Sequence, residues 1–362
     1  MIESKTVRVQ GLEVDVITLS NEVSKAVLTN LGARLVELHV PDKAGRLADI
    51  VLQRPSFEDM AADEHYMGST VGRYANRIRR GRLKIDDRPV QLSVNEGSNH
   101  LHGGRHGFDR HVWSTEITAN GGGVTFWRIS PNGEEGYPGT LTSAVTYRLD
   151  RSALSIAMRA TTDAATIVNI AHHSYFNLGG HESGTILGHL VKMRSSFYIP
   201  VDDELLPTGD VLAVEGTPFD FRQATPVGAN MAQVSHSGAG HSTERISGYD
   251  HNWVLEGTGM REVAVITDPR SGRRLTMSTN QPGVQFYAGG YLNGVTGKAP
   301  AEEYEAFAGL ALEAQNFPDA VNYSHFPQAS LQPGETYLNR VRFDFSAVSS
   351  SAGPGSMDAA AV

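Results

Sequence analysis

The chain reads as an all-β protein: one large antiparallel β-sandwich with few short helices. Three observations predict this. Apolar residues recur with a period of two along nearly the whole sequence. The 38 glycines and 16 prolines are spread as turn punctuation rather than gathered into a linker. Helical periodicity is confined to short segments. No fixed-period repeat appears, and 362 residues, 40% of them hydrophobic, suffice for one large core. Residues 1–345 are therefore expected to form a single domain, and the small, polar, Gly/Ser/Ala-rich segment 346–362 a disordered tail.

In chain order, Leu12, Val14 and Val16 alternate with Glu13 and Asp15, a half-buried strand. Ser56 to Glu64 offers an N-cap serine and acids in a first turn, a short helix. Leu83 and Ile85 turn through Asp86-Asp87 into Val90 and Leu92. Ile117 leads through Asn120-Gly121-Gly122-Gly123 into Val124 to Ile129. Thr142 to Leu149 reverses at Asp150-Arg151-Ser152 into Leu154 to Ala160. Val263 to Thr267 reverses through Pro269-Arg270-Ser271-Gly272 into Leu275 to Met277. These are hairpins by their turn chemistry. A further helical turn is expected near Ala301 to Phe307, and Val341, Phe343 and Phe345 alternate with charged residues in a last strand.

A net charge of −9 with a pI near 5.9 argues against general affinity for nucleic acid or anionic membrane, which both need basic patches. The one basic cluster, Arg77-Ile78-Arg79-Arg80-Gly81-Arg82, reads as a solvated strand edge. With no cysteine, the sequence holds no disulfide and no thiolate metal site. The polar segment Met1 to Lys5 lacks the apolar core of a signal peptide, and no stretch approaches the ~20 apolar residues of a membrane span. A cytoplasmic protein, monomer or homodimer, is expected. The sequon Asn322-Tyr323-Ser324 is accidental in that setting.

The residues that carry chemistry cluster in a few unusual contexts. Glu313 closes an apolar run, Leu310-Ala311-Leu312, just before the proline-broken loop Gln315-Asn316-Phe317-Pro318. It can be a strand-end residue paired with an arginine, or a base held rigidly toward a cleft. His100 and His102, two apart, would share a strand face and suit a metal, but no third ligand motif accompanies them. His102 then runs into Gly103-Gly104, where backbone can approach a ligand. His172 and His173 are adjacent, so on a strand they point to opposite faces and at most one lines a given pocket. Tyr249-Asp250-His251-Asn252 either opens a strand through an Asx turn or binds hydroxyls. Asn76-Arg77 and the segment Gln281 to Tyr287 supply amide and guanidinium donors suited to vicinal hydroxyls. Phosphate-cradling loops, dinucleotide fingerprints and nucleophile elbows are missing from the sequence. The remaining inventory of carboxylate, imidazole and amide fits proton transfer on a neutral polyhydroxylated substrate, with no cofactor and no metal.

Taken together these segments resemble the aldose 1-epimerase (galactose mutarotase) family. The resemblance runs in family order through Val71 to Ile78, Asn99 to Gly104 with Gly107-Phe108-Asp109, Asn132 to Gly139, His173 to Leu178, Leu206 to Gly209, Thr217 to Phe221, Tyr249 to Asn252, Gln281-Pro282-Gly283 and Leu312 to Asn316. It covers roughly residues 10–345. It implies a mutarotase-like supersandwich that interconverts the α- and β-anomers of free aldoses. Carried over by position, Glu313 is the general base for the anomeric hydroxyl and His173 the general acid for the ring oxygen. His102 would place or polarise that oxygen, and Asn76, Arg77, Asp250 and Gln281 would hold the other hydroxyls. His172 stands where the family often has Asn, and His100 where a small residue is common. A hexose-6-phosphate epimerase on the same fold would need free cations, for which Arg34, Arg73 and Arg79 are candidates. A glycosidase would need Asp250 as second carboxylate, and a binding module without turnover would not need Glu313 as a base.

Overall fold

A computed structural model describes residues 1–118, 122–237, 245–299 and 303–348. Side chains of 235–237 and 245–247 are not described. Three antiparallel sheets dominate. The first is a five-stranded meander in sequence order: Ile2–Val9, Leu12–Ser20, Lys25–Thr29, Arg34–Pro41 and Leu47–Asp49. The second has nine strands, with Tyr337–Ala347 at its centre between Ala153–Thr162 and Arg273–Thr279. The third has six, in the order Tyr175–Phe176, Leu310–Gln315, Gly283–Tyr287, Asp250–Val254, Phe197–Ile199, Leu212–Ala213.

The sequence-expected hairpins form with the expected partners. Arg82–Ile85 pairs with Arg88–Gln91 across Asp86 and Asp87, both at positive φ as a tight hairpin turn requires. Leu141–Asp150 pairs with Ala153–Thr162, and Arg261–Thr267 with Arg273–Thr279. Ser114–Ile117 pairs with Gly123–Ser130, though 119–121 of its turn lie outside the described residues. The helix forms over Phe57–Ala61, with Ser56 Oγ accepting from Asp59 N. No helical turn forms near Ala301 to Phe307 among the described residues. Glu303–Tyr304 is instead a strand paired with Val295–Thr296, because the Tyr304 side chain is drawn inward, its hydroxyl bonded to Gln53 O. The last strand continues through Ser346 and Ala347, two residues into the segment read as a tail; 349–362 lie outside the described residues.

The period-two pattern explains how the six-stranded sheet carries both a core and a site. On its back face, Phe176, Val284, Phe286, Leu310, Leu312, Ala314 and Trp253 join one buried cluster with Val145, Ile156, Met277 and Phe343 of the nine-stranded sheet. Leu19, Leu28 and Leu38 of the N-terminal meander enter the same cluster. Register then fixes the front face. Gln285 lies opposite Glu313 and Asn252 opposite Gln285, while Asp250 lies opposite Tyr287. A one-residue slip would send every polar group of this face into the core.

Phe286 is the pivot between the faces. It is fully buried, stacked on Tyr249 at 5.6 Å and edge-on to Phe221 at 5.9 Å. Phe286→Ala should cost about 3–5 kcal/mol of stability, read by denaturant unfolding. A loss below about 1 kcal/mol would show that this face does not anchor the sheet.

Candidate active site

Glu313 sits on the front face with only 2% of its surface exposed. Its Oε1 lies 3.7 Å from His173 Nε2, and its Oε2 is buried without a hydrogen-bond partner. His173 enters from a short ribbon, Ala171–His172 against Thr70–Val71. Its backbone is held on both sides, its N–H donating to Ser69 O and its carbonyl accepting from Gly68 N, both at 2.9 Å. The neighbouring His172 turns away as strand alternation predicts. It reaches Tyr147 Oη at 3.2 Å and Ser174 Oγ at 2.7 Å and packs edge-on to the Tyr147 ring. Its role is to lock the ribbon to the nine-stranded sheet.

His102 completes the cluster, its ring 5.3 Å from that of His173 and nearly perpendicular to it. It does not share a face with His100. The strand ends at Leu101 and His102 adopts φ of +50°, so the expected strand geometry stops one residue early. His100 instead bonds Ser93 O at 2.8 Å and Tyr137 Oη at 2.6 Å, a buried structural role. Gly103 follows at φ of +94°, where a Cβ would fall 1.7 Å from Gly72 O, so only glycine lets this loop lie against the Gly72 backbone.

The His102 tautomer follows from its contacts. Asn76 N–H donates to His102 Nδ1 at 3.1 Å, and His102 N–H donates to Asn76 O at 3.2 Å. An Nδ1 that accepts leaves the ring proton on Nε2. Ligand atoms of His102, His173 and Glu313 lie within 4.8 Å of one another, a spacing a cation could use. The polarity of His102 opposes that use, since ligating histidines normally donate from their second nitrogen. In that tautomer His102 Nε2 carries a proton rather than a free lone pair.

The sequence-expected hydroxyl-binding residues divide. Arg77 is buried and grips Glu96 through two hydrogen bonds of 2.7 and 2.6 Å, with Asp250 Oδ2 at 3.9 Å from its Nη1. The basic run is thus not a uniform solvated edge, because Arg77 and Ile78 are interior. Asn76 acts mainly through its backbone grip on His102, and its Oδ1 accepts from Arg77 N at 2.8 Å. Asp250 is on the front face, its Oδ1 accepting from Gln285 Nε2 at 2.7 Å. Gln281 is elsewhere. It precedes the strand, and its Nε2 donates to Asn280 Oδ1 and Leu338 O, toward the nine-stranded sheet. Gln285, four residues on, lies directly across from Glu313. Its Oε1 is buried without a partner.

Two further residues were missed. Glu96, which fixes Arg77, lies in a loop with no sequence signal beyond its charge. Tyr66, at φ of +57°, lays its ring 4.6 Å from His102 and 5.9 Å from His173. The nearest signal to it is Gly68.

Burial sets the protonation states. It drives the Glu313 carboxyl well above its ordinary range, with Asp250 adding to the rise and Arg77 opposing it. It drives His173 down to about 4, and His102 well below the usual range with help from His173 and Arg77. The shifts of Glu313 and His173 both favour the uncharged pair, with the one proton on Glu313 and His173 neutral. Two open surface clefts of about 460 and 490 Å³ lie along Leu47, Ala48 and Gly179, away from this pair.

The aldose 1-epimerase family model matches residues 15–344. The chain belongs to the aldose 1-epimerase family. It is 40% identical to the galactose mutarotase of Homo sapiens over 337 residues, 93% of this chain and 95% of that protein. It is 34% identical to the aldose 1-epimerase of Escherichia coli K12 over 352 residues, 95% of this chain and 98% of the other. Among solved structures, the aldose epimerase homologue of C. elegans superposes with a TM-score of 0.84 at 30% identity, covering 96% of this chain and all of that one. Family membership makes the chain an isomerase with the galactose mutarotase-like fold. Among the described residues no helix is long and apolar enough to cross a membrane.

The buried histidines of this aldose epimerase give its stability a definite pH dependence. Desolvation depresses His172 to about 3 and His100, His173 and His189 to about 4, from 6.5, and His102 falls as well. Between those values the unfolded chain binds more protons than the folded one, so stability falls as pH falls. Asp109 and Asp319, raised to about 6, and Glu313 act in the opposite sense but are fewer. The melting temperature should drop steadily from about pH 7 to about pH 4.5. A flat or rising profile in calorimetry would contradict this assignment of neutral histidines.

Proposed function

We propose that the chain interconverts the α- and β-anomers of free aldohexoses such as glucose and galactose. In the free site burial favours the pair's single proton on Glu313. With sugar bound that proton passes to His173. Glu313 as carboxylate then takes the proton from the anomeric hydroxyl, and His173 as imidazolium gives its own to the ring oxygen. His102, with its Nε2–H directed into the cluster, donates a hydrogen bond to that oxygen. The C1–O5 bond breaks, the open chain rotates about C1–C2, and reclosure runs the same transfers backward. No net proton is consumed.

The observation that carries this reading is the row of buried, unpartnered polar atoms on one sheet face: Glu313 Oε2, Gln285 Oε1, and both amide atoms of Asn252. His173 Nδ1 is likewise unpartnered. Each such atom costs folding free energy unless a ligand satisfies it, and a ligand made of hydroxyls satisfies them all. The desolvation that shifts the pair serves the chemistry. A carboxylate forced up is a stronger base and an imidazolium forced down a stronger acid, so burial sharpens both partners.

The cations a phosphorylated sugar would need are otherwise engaged. Arg34 is fully buried and paired with Asp63 at 3.6 Å, and Arg73 spends its donors on Ser130, Pro131, Pro138 and Gly139. Arg79 pairs with Asp202 at 2.8 Å. This supports free sugar over the 6-phosphate.

Polarimetry of freshly dissolved α-D-glucose and α-D-galactose tests the reading. Wild type should speed decay to the same final rotation, and Glu313→Gln should lower kcat at least ~10²-fold. No acceleration of either free sugar by wild type would overturn it. Gln285→Leu should raise KM about 10-fold, while Gln281→Leu leaves it within about 2-fold. The reverse pattern would return the hydroxyl-binding role to Gln281.

A further inference from the structure

Past the end of the Gly283–Tyr287 strand the chain reverses at Gly289, at φ of +75°, so close to Gly309 that a Cβ there would lie 2.2 Å from its carbonyl oxygen. That reversal sends Tyr291 back over the front face. Its backbone N–H donates to Tyr287 Oη at 2.8 Å, and the two rings lie 6.3 Å apart. Tyr287 in turn lies directly opposite Asp250. Tyr291 is partly exposed as a residue, yet its hydroxyl is buried and makes no hydrogen bond.

The groups within electrostatic reach of that hydroxyl are Asp250, Arg77 and Glu96. They are engaged with one another. Glu96 spends both carboxylate oxygens on Arg77, and Asp250 accepts from Gln285. A phenol buried beside this cluster without a bond is an uncompensated cost in the free protein. A phenol can both donate and accept, which suits a sugar hydroxyl better than it suits an anion or an apolar group. The Asp250 strand is separated from the Glu313 strand by one intervening strand, so a sugar spanning this face would meet Asp250 with a different part of its ring from the part at the acid–base pair.

We propose that the Tyr291 hydroxyl is a specificity-determining contact to one sugar hydroxyl remote from the anomeric carbon. It acts together with Asp250 and Arg77, and it binds ground state and transition state alike. The inference rests on the reading of this face as a sugar site. It gives the enzyme a way to rank aldohexoses that differ at that one carbon, because a buried phenol left unpaired disfavours the wrong sugar.

The test is Tyr291→Phe, which keeps the ring and removes one oxygen. Calorimetric binding and polarimetric kinetics are measured with glucose, galactose and their 2-, 3-, 4- and 6-deoxy analogues. Affinity for the preferred sugar should fall about 5- to 20-fold with kcat within about 2-fold of wild type. For one deoxy analogue, wild type and variant should bind equally. A change below 2-fold for every sugar overturns the proposal. An equal loss for every deoxy analogue also overturns it, since that reports ring packing rather than one hydroxyl. Wild type that binds aldohexoses without speeding mutarotation would defeat the epimerase reading alone, with Tyr291 still scored by affinity. Wild type that binds none of these sugars would defeat both.

Discussion

The structure is organised around one constraint, a carboxyl and an imidazole held 3.7 Å apart where water is excluded. Neither group is comfortable there when charged, and the surrounding elements keep them together nonetheless. Glu313 is fixed by a strand buried on both faces. His173 is fixed by backbone hydrogen bonds to the Gly68–Ser69 loop, and His172 behind it ties the same ribbon to Tyr147. The backbone under each group is thus held by main-chain contacts, and burial leaves its side chain little room.

The three sheets divide the labour. The nine-stranded sheet and the N-terminal meander supply apolar surface, and the six-stranded sheet spends its back face on them. Burial of Phe176, Phe286, Leu310 and Leu312 supports a front face carrying Asp250, Asn252, Gln285 and Glu313. Both faces of these strands are buried, and period-two alternation puts apolar side chains on one and the polar groups, in register, on the other.

Much of this was legible in the sequence, and the failures have a common cause. Alternation and turn residues revealed the hairpins of residues 82–91, 141–162 and 261–279, because both signals are local. Glu313, His173, Arg77 and Asp250 stood out through unusual neighbours. The segment Gln281 to Tyr287 holds two amides, and only the register between strands 283–287 and 310–315 places Gln285 across from Glu313. The spacing of His100 and His102 implies a shared strand face that the structure lacks, since a positive φ leaves no mark on the residue that adopts it. Glu96 and Tyr66 reach the site through loops far from any motif, and loop trajectories are tertiary facts.

The unpartnered atoms on the front face bear on how the proposed site would hold a sugar. Burying polar groups without partners destabilises the free protein, and a bound sugar recovers that free energy by bonding them. The recovery is spread over Gln285, Asn252 and Tyr291, on a face that extends beyond the reacting atoms. Contacts of that kind hold the carbon skeleton in place in both anomers, so they cannot by themselves favour one product over the other. They leave C1 unclamped and free to rotate after ring opening. In the proposed mechanism the difference between ground and transition state is left to Glu313 and His173, which exchange protons with the sugar, and to the hydrogen bond from His102.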